Sequence, residues 1–196
     1  MSERQATVTR ETAETSIVVR LDLDGAGDAR IETGIGFFDH MLTQTAVHGL
    51  FDLEVEAHGD LEVDAHHTVE DVGLALGGAV ARALGDRVGI RRYGAAVIAL
   101  DDALVRVVVD LSGRTGCYAK LTLDGAIGSF DGQLVKEFLV ALCRGGALTL
   151  HADTLAGENR HHIAEAAFKA LGRALDEATG VDPRRARIPS SKGRLT

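Results

Sequence analysis

His66-His67-Thr68-Val69-Glu70 opens an apolar helical stretch, and ninety-five residues later His161-His162-Ile163-Ala164-Glu165 opens another. The recurrence keeps its register downstream: Ala75-Leu76-Gly77 returns as Ala170-Leu171-Gly172, Ala79 as Ala174 and Gly85 as Gly180. Similarity at one fixed spacing is the mark of an internal repeat. Upstream the spacing changes but pairs persist, Phe38-Asp39 with Phe130-Asp131 and Asp22-Leu23-Asp24-Gly25 with Asp110-Leu111-Ser112-Gly113. The chain therefore reads as a tandem duplication, with repeats of about 1–90 and 91–196 making up a single domain.

Apolar residues recurring every three or four positions predict helices over Phe38 to His48, Thr68 to Leu84, Gln133 to Cys143 and His161 to Ala178. Gly49, Gly85 and Gly180 stand where a helix would be capped. Alternation predicts strands over Thr15 to Leu23, Ala29 to Thr33, Leu53 to His58, Ala95 to Leu100, Leu104 to Leu111, Tyr118 to Leu123 and Ala147 to His151. Each half then supplies about three strands, a helix, a strand and a helix. Two such βββαβα halves packing their helices in layers on mixed sheets give an α+β fold. The helix over 68–84 is apolar almost all round, which predicts burial on most sides and hints at association between copies.

Composition narrows the function. Of 196 residues 45% are apolar and 26% charged, which is globular, and apolar runs such as Ala95 to Leu100 fall far short of a membrane span. Twenty-one basic residues face 29 acidic ones for a net charge of -8, with eight aromatics and no Trp, so nucleic acid is not an expected partner. The two cysteines, Cys117 and Cys143, match no disulfide framework or CxxC spacing. Met-Ser-Glu-Arg-Gln at the start lacks an apolar signal core, so a reduced, cytoplasmic protein is expected.

Histidine stands out, with eight copies against two cysteines. On a helix advancing roughly 100° per residue, His66 shares a face with Glu70, and so does His67, but the adjacent histidines diverge. The economical arrangement is two metal sites, each assembled from several helices, with neighbouring histidines serving different ions. Imidazole and carboxylate without thiolate suit Mn, Fe or Zn. His40, at the start of another helix, is a natural further ligand. A second set is cationic: Arg91-Arg92, Arg114, Lys169 and the tail Pro189-Ser190-Ser191-Lys192-Gly193, a chemistry suited to phosphate.

Read in order, Thr12-Ala13-Glu14-Thr15, Gly36-Phe37-Phe38-Asp39-His40-Met41-Leu42, His48-Gly49-Leu50-Phe51-Asp52, Gly59-Asp60, the two His-His motifs, Leu111-Ser112-Gly113-Arg114, Leu155-Ala156-Gly157-Glu158-Asn159-Arg160, Asp182-Pro183-Arg184-Arg185 and Ile188-Pro189-Ser190-Ser191-Lys192-Gly193 resemble the imidazoleglycerol-phosphate dehydratases of histidine biosynthesis. The resemblance spans essentially the whole chain. It implies a manganese-dependent hydro-lyase that converts imidazole glycerol phosphate to imidazole acetol phosphate, with two Mn2+ per active site. It further implies the duplicated fold of the ribosomal protein S5 domain 2-like class and a homo-oligomer of 24 subunits with interfacial active sites.

Carried over by position, one ion takes His40, His67, His161 and Glu165, and the other His66, Glu70, His162 and the residue at 137, here Glu137 where many members have histidine. The implied substrate contacts are Glu14, Gln44, Arg92, Arg114, Lys169, Ser190, Ser191 and Lys192, and the implied acid/base groups are Glu14, Glu70 and His48. Two metals answer a chemical need, because the C–H next to the departing hydroxyl has no carbonyl to acidify it. The imidazole ring must act as electron sink, as an imidazolate flanked by two cations that passes through a diazafulvene-like form. The residues by themselves also accommodate a di-metal hydrolase of a phosphorylated small molecule or a metal-storing shell protein.

Overall fold

The computed structural model describes residues 4–195 and divides them between two similar halves. The first runs β1 (Gln5–Glu11), β2 (Thr15–Asp22), β3 (Ala29–Glu32), α1 (Gly36–Gly49), β4 (Asp52–Gly59) and α2 (His66–Leu84). The second runs β5 (Tyr93–Leu100), β6 (Ala103–Asp110), β7 (Gly116–Lys120), a short hairpin of β8 (Ala126–Ile127) and β9 (Phe130–Asp131), α3 (Gln133–Gly146), β10 (Thr149–Ala156) and α4 (Arg160–Thr179). The sheets are ordered β1-β2-β4-β3 and β5-β6-β10-β7. In each, three strands pair antiparallel and the last, β3 or β7, runs parallel to its neighbour, so both are mixed.

Inward positions along β2 (Ile17, Val19, Leu21) and β6 (Val105, Val107, Val109) are buried, and helices cover them. α2 lies on β1 and β2, α4 lies on β5 and β6, and the helices meet across the halves, α2 against α3 and α1 against α4. The repeated Ala-Leu-Gly motif marks those two crossings. A Cβ at Gly77 would run into the Leu142 carbonyl and the Gly146 amide of α3, and one at Gly172 into the Thr45 carbonyl and the Gly49 amide of α1. Glycine is required there because backbone meets backbone. The apolar circumference of α2 is satisfied within the chain by its own sheet and by α3, so its burial needs no second copy. No helix among the described residues is long and apolar enough to cross a membrane.

Several boundaries differ from the sequence reading. β1 escaped it because only Val8 is buried along the strand, which leaves too weak an alternation. β7 begins earlier than expected and β10 later, since Ala147 adopts the left-handed conformation that caps α3 before the strand can start. Phe38-Asp39 and Phe130-Asp131 are not equivalent: the first pair lies in the opening turns of α1, the second forms β9 ahead of α3. The outer faces of the sheets also differ. The first carries charge, including an Arg20–Glu54 pair at 2.7 Å, whereas the second exposes Tyr93, Val97, Tyr118 and Leu155.

Candidate metal centre and substrate site

α1 and α4 face each other with matched stripes of polar side chains. His40, Gln44 and His48 stand four apart on α1, and His161, Glu165, Lys169 and Arg173 four apart on α4, so each set lies on one helix face. At the upper end His40 Nε2 and His161 Nε2 each lie 3.2 Å from Glu165 Oε2. The other carboxylate oxygen takes Lys169 Nζ at 2.8 Å. Burial would raise the Glu165 pKa, but the hydrogen bonds from Lys169 and His40 prevail and hold it at about 2. One oxygen of an ionised carboxylate and two imidazole nitrogens thus converge within 4.8 Å of one another. Lower on the seam, burial first, then Lys169 and Arg173, depress the His48 pKa, which favours the neutral ring.

α4 starts where it does because the Asn159 side chain accepts the backbone N–H groups of His161 and His162, at 2.9 and 3.3 Å. The second histidine of each doublet is backed by an aspartate. His67 Nδ1 lies 3.0 Å from Asp60 Oδ2, and His162 Nδ1 lies 2.7 Å from Asp102 Oδ1. Such a bond places a proton on Nδ1, and the His162 Nε2 in turn lies 3.5 Å from Asp101 Oδ2. Asp60 raises the His67 pKa, and the Glu158 and Asn159 amides, with His162, hold the Asp102 carboxyl far below its ordinary value. The sequence reading gives neither Asp60 nor Asp102 a role at the site, since a lone aspartate in a turn carries no signal beyond the turn.

Three of the four residues expected around one ion, His40, His161 and Glu165, are brought together, while His67 sits with Asp60 and, at 3.7 Å, with Glu14. Of the other set, His66 and Glu70 approach to 3.8 Å, with Arg144 3.2 Å from Glu70, while His162 stands apart with Asp102. Glu137 lines a separate cleft of about 280 Å³ between α3 and the segment after β7. A cleft of about 450 Å³ between the starts of α1, α2 and α3 is lined by Phe37, His66 and Phe130, and the Phe37 ring reaches within 5.4 Å of His161. The larger concavity, about 790 Å³ on the outer face of the first sheet, contains none of the expected site residues.

The cationic residues fall in three places. Arg92, with a backbone φ of 77°, binds Asp110 at 2.7 Å and the Pro189 carbonyl at 2.9 Å, which brings Ser190, Ser191 and Lys192 into its neighbourhood. Lys169 belongs to the α1–α4 seam, and Arg114 is exposed in the turn after β6, its carbonyl accepting the Thr149 hydroxyl.

A family model described as imidazoleglycerol-phosphate dehydratase matches residues 33–175, the span that holds both histidine doublets and the seam. The chain belongs to the imidazoleglycerol-phosphate dehydratase family. Members from Alkalilimnicola ehrlichii and Methylibium petroleiphilum are 57% and 58% identical to it, over 100% and 98% of this chain and the same shares of theirs. Among solved structures, imidazoleglycerol-phosphate dehydratase from Pyrococcus furiosus in complex with (S)-C348 matches with a TM-score of 0.85 and 39% identity, covering 96% of this chain and 100% of that one. The Staphylococcus aureus dehydratase matches at 0.82 and 36%, over 91% and 99%. The duplicated α+β fold is therefore that of the family.

Proposed function

We propose that this chain dehydrates imidazoleglycerol phosphate to imidazole acetol phosphate in histidine biosynthesis, with two divalent cations, manganese by preference, at its centre. The observation that carries the reading is the convergence of His40, His161 and Glu165 on one point, next to His48 and Lys169 on the same seam. The donors fit such an ion: two imidazoles and an ionised carboxylate, with no thiolate among them. His67 and His162, each held through Nδ1 by an aspartate, would complete the two ligand sets with His66, Glu70 and Glu137. When bound, the cations supply Lewis-acid stabilisation of negative charge on the imidazole ring.

The protein's own groups do the rest. Glu14, exposed on the β1–β2 turn beside His67, takes the proton from carbon and returns one to the departing hydroxyl. Gln44 orients the chain of the substrate, and the neutral His48 and Glu70 are the further proton carriers. Arg92, Arg114, Lys169, Ser190, Ser191 and Lys192 hold the phosphate, Arg92 through its planar fork. The same reading makes the working form a cytoplasmic homo-oligomer of 24 subunits whose sites lie between subunits. Its support is the division of each expected ligand set into separate groups within one chain, together with the apolar outer face at Tyr93, Val97, Tyr118 and Leu155.

An ultraviolet assay for the keto product, run on imidazoleglycerol phosphate with and without Mn2+, tests the proposal. Product that appears only with metal supports it. Inorganic phosphate in place of the keto compound would instead make the chain a hydrolase.

A further inference from the structure

Asp71 follows Glu70 on α2 and is 6% exposed, so its carboxylate is nearly out of water. Both oxygens are engaged, Oδ2 by the Thr15 hydroxyl at 2.6 Å and Oδ1 by Arg10 at 2.8 Å. Desolvating such a pair costs about as much as the attraction returns, so stability alone does not account for it. Arg10 meets the carboxylate through Nη2, and its Nε is buried without a hydrogen-bond partner.

What Asp71 does follows from the direction of the hydrogen bonds. A carboxylate only accepts, so the Thr15 proton points to Asp71 and the Thr15 oxygen accepts in turn from the Thr12 hydroxyl, 3.1 Å away. The Thr12 oxygen is left to accept the backbone N–H groups of Glu14, at 3.1 Å, and Thr15, at 2.9 Å. On its other side the Glu14 carbonyl accepts the Asp60 N–H at 3.2 Å. The Glu14 peptide is gripped at both ends while its side chain projects toward His67.

We propose that Asp71, acting through Thr15 and Thr12, is a positioning residue that fixes Glu14 relative to the histidine doublet of α2. The inference rests on the reading of Glu14 as the acid/base group. The strut ties the turn that carries this group to the helix that carries His66, His67 and Glu70, so the two parts of the site move as one body. An error of about 1 Å in such a placement can cost on the order of 100-fold in rate.

The test is a set of double-mutant cycles on the metal-loaded assembly, with Thr15→Val breaking the strut at the carboxylate and Thr12→Ala breaking it at the exposed turn, where folding is not at risk. Each is expected to lower kcat about 10-fold or more with KM within about twofold, and Thr15→Ser and Thr12→Ser to restore it. Melting temperature and bound metal of Thr12→Ala should equal those of the parent. In a Glu14→Gln background neither change should lower the rate further, because the group being positioned is already gone. Losses that multiply with an impairing Glu14→Gln, or unchanged kcat in both strut variants, overturn the inference and leave the reading of Glu14 standing. Wild-type turnover by Glu14→Gln itself would remove that reading and the inference together.

Discussion

Asp52 Oδ1 accepts three backbone N–H bonds, from Ala26 at 2.8 Å, Asp28 at 3.0 Å and Gly27 at 3.1 Å, and so closes the loop between β2 and β3. These bonds, the one from Ala26 foremost, lower its pKa below the ordinary 3.8. A carboxyl whose folded pKa is depressed contributes stability in full above its unfolded value and loses it as pH falls through the folded one. Urea unfolding midpoints of the parent and of Asp52→Asn are therefore expected to differ most near neutral pH and to converge below about pH 4. A gap that stays constant across that window would count against the argument. The same scale shows what a sequence hides. His66, His67, His161 and His162 are legible because they recur in register. Asp60, Asp71 and Asp102 are single acids in ordinary contexts, and only the folded chain shows which imidazole or hydroxyl each one meets.

At the scale of elements, helices crossing backbone to backbone make adjacent glycines behave in opposite ways. A Cβ at Gly77 would meet backbone atoms of α3, which cannot step aside, whereas one at Gly78 meets only the Val8 side chain at 3.8 Å. Gly77→Ala is expected to destabilise by about 1–3 kcal/mol, the range for forced overpacking. Gly78→Ala is expected to stabilise by roughly 0.4–1 kcal/mol through the lost freedom of the unfolded chain and better helix propensity. Denaturant titration of the two variants side by side reads both signs, and equal shifts would contradict the crossing. Long periodic helices were legible from the sequence to within a few residues. β1 was not, because its outward positions, Gln5, Thr7, Thr9 and Glu11, outnumber its one buried residue. The β8–β9 hairpin, two residues a strand, is too short for any period to register.

For the whole molecule, ligand sets that one chain leaves divided link metal binding to association, on the proposed reading. Particle size measured by light scattering is expected to fall when a chelator strips the metal and to recover with Mn2+. The same size before and after would show that assembly and metal are independent. That the chain holds two repeats whose helices pack against each other was legible, but which helix meets which was not, since a period reports which face is apolar and not which neighbour covers it.

The crossing glycines give that meeting a definite symmetry. Gly172 seats on Thr45 and Gly49, and Gly77 seats on Leu142 and Gly146, so exchanging the halves carries one contact onto the other. The interior is an isologous interface joined by a covalent link, like a two-fold dimer written as one chain. In the same exchange α1 maps onto α3 with Thr45 on Leu142, which places His40 on Glu137, while His161 and Glu165 fall on His66 and Glu70. Glu137 thus occupies the position equivalent to His40, although among the described residues only the His40, His161 and Glu165 trio converges. On the proposed two-cation reading, Glu137→Gln is accordingly expected to leave one ion per subunit in place of two, by elemental analysis of the purified assembly. Elsewhere the seams have parted: Gln44, His48 and Lys169 map onto Ala141, Gly145 and Leu74, so only one of the two carries the side chains proposed to meet a substrate.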